Sequence, residues 1–162
     1  MRKATHKEKK EALLKVVKEM QSDIMQNIEC INEGGCGHFA NLFYKSCKEK
    51  YPSMRLVVFS IWGERFLRAN KKEIKRWNCG VGDSCNLKHT SVGHVAVKVY
   101  GFTFDGEDIL VNNATPSGRK PVGHYTEKEL EVALKYGSWN NSYDTHQNKK
   151  LKTIISKHTN QL

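Results

Sequence analysis

Gly93-His94-Val95-Ala96-Val97-Lys98-Val99-Tyr100-Gly101-Phe102-Thr103-Phe104-Asp105 carries the clearest pattern in the chain. Val95, Val97 and Val99 alternate with His94, Ala96 and Lys98, the period of a strand with one buried face. Tyr100-Gly101 supplies a turn, and Phe102 to Asp105 begins a returning strand. On such a hairpin Asp105 falls within one register step of His94. Same-face residues across a ladder lie roughly 5 to 8 Å apart at Cβ, within reach of a carboxylate for an imidazole nitrogen.

Upstream, Leu56 to Trp62 is a nearly apolar run that reads as a buried strand starting at Arg55, followed by a charged segment, Glu64 to Trp77, with helical character. Asn78 to Ser91, rich in Gly, Asp, Ser and Asn, reads as a loop. Further back, Leu13, Val16, Val17, Met20, Ile24 and Ile28 recur at three- and four-residue spacings, which predicts an amphipathic helix over residues 8–29. Two glycines break it. Phe39, Leu42, Phe43 and Cys47 then resume the period up to Tyr51-Pro52, so a second helix is expected over residues 36–50. Downstream, Ile109 to Val111 suggests another strand and Asn113 to Gly118 a turn. Thr126 with Glu129 three residues on is a capping box for a helix containing Leu130, Ala133 and Leu134 and ending near Gly137. In the polar tail from Ser138, only Leu151, Ile154 and Ile155 could dock a short helix.

The chain has 162 residues, of which 38% are hydrophobic, enough for one compact core. The expectation is a single domain over residues 1–162 of α+β class, with N-terminal helices packed on an antiparallel sheet. No run approaches the roughly 20 apolar residues of a membrane-spanning helix, and the charged N-terminus lacks the apolar centre of a signal peptide. A soluble, cytoplasmic protein without membrane contact is therefore expected. Five cysteines, an odd number without a framework of spacings, point to reduced thiols. A net charge of +10 favours anionic partners, nucleic acid or an anionic substrate among them, although no recognition motif accompanies it. Much of the excess sits in Lys3 to Lys10 and Lys149 to Lys157, the bland reading of which is solvated termini.

Gly34-Gly35-Cys36-Gly37-His38-Phe39-Ala40 places Cys36 in the first turn of its helix. A thiol loses its proton more readily at a helix N-terminus or beside a histidine, and unpaired N–H groups there can hold an oxyanion. The flanking glycines keep side chains away from the sulfur. Cys36 is thus the candidate nucleophile, His94 its base and Asp105 the acid that orients the base. The Cys36 N–H and, four residues earlier, the Asn32 side chain are candidate oxyanion donors. His38, two helix positions on, should point away from Cys36. Cys47 lies on the apolar stripe and belongs to the core.

Residues 33–47 and 93–106 together resemble the papain-like cysteine hydrolases and acyltransferases, in particular transglutaminase-like proteins and bacterial cell-wall cysteine endopeptidases. These share the order Cys, His, Asp. The resemblance implies a helix bearing the nucleophile packed on an antiparallel sheet bearing the histidine. It also implies hydrolysis or acyl transfer at an amide through a thioester, a peptide or amide-bearing substrate and no cofactor. The tryptophan often found near the histidine of transglutaminase-like members is absent. Asn113 competes with Asp105 for the third position, since papain-type members use asparagine there.

Two readings from other classes stand beside this one. A basic nucleic-acid-binding or inhibitory protein could keep the fold without its chemistry. A zinc site could draw on Cys79, Cys85 and His89 with Cys30 or Cys36, although structural zinc sites usually show tighter pairs.

Overall fold

The computed structural model describes residues 4–60, 92–116, 118, 120–136 and 143–162. The expected helical segment 64–77, the expected loop 78–91, with Cys79, Cys85 and His89, and the end of the first expected strand lie outside them.

Helix α1 (His6–Asn27) starts earlier than its apolar stripe because Thr5 and Glu8 form a reciprocal capping box. It buries Leu13, Val16, Val17, Met20, Gln21 and Ile24. Helix α2 (Cys36–Cys47) buries Phe39, Ala40, Phe43 and Cys47, and ends three residues before its expected limit. Strands β1 (Arg55–Ser60), β2 (Val92–Val99), β3 (Phe102–Phe104), β4 (Ile109–Leu110) and β5 (Pro121–Tyr125) form one antiparallel sheet in the order β4-β3-β2-β1-β5. Strand β5 was not expected: Pro121, Gly123 and His124 are poor strand formers, and they are tolerated because β5 lies at the end of this order, pairing with β1. Helices α3 (Glu127–Tyr136) and α4 (Asn148–Thr159) complete the described elements. The Thr126–Glu129 capping box forms as predicted.

Register decides what each sheet face does. Leu56 lies opposite Val97 and Val58 opposite Val95, and all four join the main core with α1, α2, α3 and α4. Val57 lies opposite Ala96 on the other face, where both form a second apolar cluster with Phe59 and Leu110. His94 pairs with Phe59, so it belongs to this second face, as the alternation in sequence requires. It sits inside β2, beside a register shift between Phe59 and Ser60.

The described lysines of the two basic segments lie on helices α1 and α4. Helix α4 docks through Leu151, Ile154 and Ile155 and runs antiparallel to α1. Asp23 meets Lys157 and His158, whereas the Glu29 N–H donates to Gln147. No helix among the described residues is long and apolar enough to cross a membrane.

Candidate active site

Three segments distant in sequence converge on His94. Helix α2 opens at Cys36, and its N-cap residue, Gly35, makes no side-chain cap hydrogen bond. Gly35 is required by packing rather than by open space: a Cβ there would lie 2.5 Å from Tyr143 Cδ2 and 2.7 Å from the Ile31 carbonyl oxygen. Gly34, at φ 118°, occupies backbone space that L side chains rarely adopt. Cys36 is only 2% exposed. Its side chain lies beside that of His94 and favours the charged imidazole.

Beyond Phe104, the β2–β3 register places Asp105 opposite Ala96 and diagonal to His94. The contact forms: His94 Nε2 and Asp105 Oδ2 are 2.8 Å apart, with His94 7% and Asp105 1% exposed. A carboxylate can only accept, so Nε2 carries the proton and Nδ1 is the nitrogen left for the thiol. The other carboxylate oxygen builds the turn. Asp105 Oδ1 accepts from the Glu107 N–H at 2.8 Å, the Asp108 N–H at 2.9 Å and Asn32 Nδ2 at 3.2 Å. Asp105 is thus both a turn former and the partner of the histidine, one oxygen for each task. Gly106 lets the turn close, because a Cβ there would lie 2.6 Å from Ile31 Cγ1.

Two sequence expectations are corrected here. Asn32 is not available to an oxyanion: its amide donates to Asp105 and, at 3.1 Å, to Glu107 Oε2, both carboxylates. It braces the acid instead. Asn113 does not stand behind the imidazole, because its Oδ1 accepts from the buried Thr103 hydroxyl at 2.5 Å. His38 turns toward the start of α4. It stacks on Tyr143 with ring centroids 5.4 Å apart and pairs through Nδ1 with Asn148, while burial lowers its pKa. Burial pushes Cys47 up to about 11, in keeping with a core thiol. Cys30, Cys36 and Cys47 are all free, and no group of three metal-ligating side chains occurs among the described residues.

Comparison with known proteins gives no match to a family model, a curated sequence or a solved structure.

Burial opposes a charge on His94, but its hydrogen bond to Asp105 and the nearness of Cys36 outweigh it. The imidazole rises from 6.5 to about 10. Burial likewise works to raise Asp105, yet the hydrogen bond and charge of His94, with the Glu107 and Asp108 N–H groups, hold it below its ordinary value. The raised histidine stabilises the fold fully below its unfolded pKa near 6.5 and ceases to as pH climbs toward 10. The lowered aspartate stabilises above its unfolded value and loses this as pH falls through its folded one. From this pair the urea midpoint is expected to be highest between about pH 4 and 6.5 and to decline from there toward pH 10. In His94→Gln the alkaline decline should shrink. An equal decline in both proteins would assign it to other groups.

Proposed function

We propose that this chain is a cysteine-dependent hydrolase or acyltransferase of papain-like architecture, acting on an amide or related acyl bond through a thioester. The observation that carries this reading is the placing of His94 between Cys36, which acts on its pKa, and Asp105, whose carboxylate is 2.8 Å from its Nε2. A helix bearing the cysteine against an antiparallel sheet bearing the histidine supports it further.

In this reading His94 Nδ1 takes the Cys36 proton, and the sulfur attacks the substrate carbonyl carbon while the C=O π pair moves onto oxygen. The Cys36 N–H donates to that oxyanion. As the carbonyl re-forms, the C–N bond breaks and His94 returns its proton to the departing amine. An acyl thioester remains on Cys36. Water or a second amine, deprotonated by His94, then attacks the thioester carbonyl and expels the sulfur, which regains a proton. The net change is amide plus water to acid plus amine, or exchange of one amine for another. No step calls on a cofactor.

Because the sulfur is nearly buried, a small acyl donor is the suitable probe. With p-nitrophenyl acetate the expected result is a burst of nitrophenol approaching one equivalent, with an acetyl group on the Cys36 peptide that hydroxylamine removes. Cys36→Ala should abolish both, and Cys30→Ala should keep both. Equal bursts from Cys36→Ala and wild type would rule the reading out.

A further inference from the structure

We infer that Gln21 is a positioning residue for this site: through the main-chain carbonyl of Asp105 it aims the carboxylate that orients His94. The inference rests on the proposed function only in calling Cys36, His94 and Asp105 the reacting set.

Gln21 interrupts the apolar stripe of α1, between Val17 and Met20 on one side and Ile24 on the other, and is 4% exposed. A buried amide without a partner is destabilising, so an apolar residue would suit that place better unless the amide has work to do. Its Nε2 donates to the Asp105 carbonyl oxygen at 3.0 Å, across 84 residues of chain. The Asp105 N–H meanwhile donates to the Asp108 carbonyl at 3.0 Å. With the N–H held from within the turn and the carbonyl held from α1, both peptide planes flanking the Asp105 Cα are fixed. The direction of the Cα–Cβ bond follows, and with it the position of Oδ2 against His94 Nε2. Asn32 fixes Oδ1 from the α1–α2 connection. Among the described residues, the Gln21 bond is what anchors the Asp105–Gly106 peptide to a helix. Gly106, pressed against Ile31, has no room for a side chain that could replace it.

The test compares Gln21→Met, which keeps length and removes the donor, with Gln21→His, whose Nε2–H reaches about as far. Two quantities are read: the nitrophenol burst rate with p-nitrophenyl acetate, and the low-field proton resonance of His94 Nε2–H, assigned by its absence in His94→Gln. In Gln21→Met the burst should slow by at least about tenfold and the ring proton should shift upfield and exchange faster with water. In Gln21→His both should return toward wild type. A folded Gln21→Met with unchanged ring proton and burst overturns the inference, as does equal impairment in folded Met and His variants. If Gln21→Met does not fold, Gln21→His decides: a wild-type ring proton and burst support the inference, and their loss in a folded protein overturns it. Should wild type itself give no burst, the proposed function fails, while the ring proton still decides the role of Gln21.

Discussion

On the proposed function, replacing His94 by alanine is expected to slow acylation of Cys36 by about 10²- to 10⁴-fold, the usual contribution of a positioned general base. The imidazole stands between Cys36 and Asp105, and the histidine nearest Cys36 in sequence is engaged elsewhere. His38 has its Nδ1 committed to Asn148 and its ring stacked on Tyr143. His124, exposed on β5, provides the control, since His124→Ala should leave the burst rate unchanged. Removing the ring also opens space beside Phe59, whose centroid lies 5.8 Å from that of His94. Added imidazole should enter that space and recover part of the rate. A folded His94→Ala protein that acylates at the wild-type rate would show that Cys36 reacts without this base.

Asp105→Ala is expected to cost about 3–5 kcal/mol, the range for removing one partner from a buried charged pair. That is a large share of the roughly 5–15 kcal/mol that holds a typical domain together. The loss exceeds that of one ion pair because four donors converge on this carboxylate: His94 Nε2, the Glu107 and Asp108 N–H groups and Asn32 Nδ2. Alanine leaves all four without their acceptor in or near the interior. Asp105→Asn keeps an oxygen for the turn and loses the charge, so its cost should be smaller, about 1–2 kcal/mol. Urea denaturation at pH 6 ranks the two. Equal losses would mean that the turn hydrogen bonds contribute little and that the charge on Asp105 accounts for the effect.

The candidate site was largely legible where chemistry and periodicity fell on the same residues. Cys36 opens a helix whose apolar spacing is unambiguous, and His94 lies on a strand whose valines alternate without a break. The step to Asp105 follows from the Tyr100-Gly101 turn, and the turn places both residues with positive φ, 48° and 80°. What stayed hidden depends on contacts between distant segments. Asn32 looked like an oxyanion donor because it precedes Cys36 closely, and only the fold brings Asp105 and Glu107 to its amide. Asn113 was an equal rival to Asp105 until Thr103 claimed its oxygen. Gln21 left a readable trace, a polar residue on an apolar stripe, but its partner lies far along the chain. Thr5-His6-Lys7-Glu8 likewise carried the capping signature that sets the start of α1. Strand β5 was illegible for a different reason: its residues have little strand propensity, and pairing with β1 overrides it.

The turn that holds Asp105 joins an α1 residue, the α1–α2 connection and a strand far downstream, so it exists only once those parts have met. Before that meeting His94 has no carboxylate beside it. On the proposed function Cys36 is expected to gain its base only with this turn, so that a rise in its alkylation rate during refolding would report when the three segments meet.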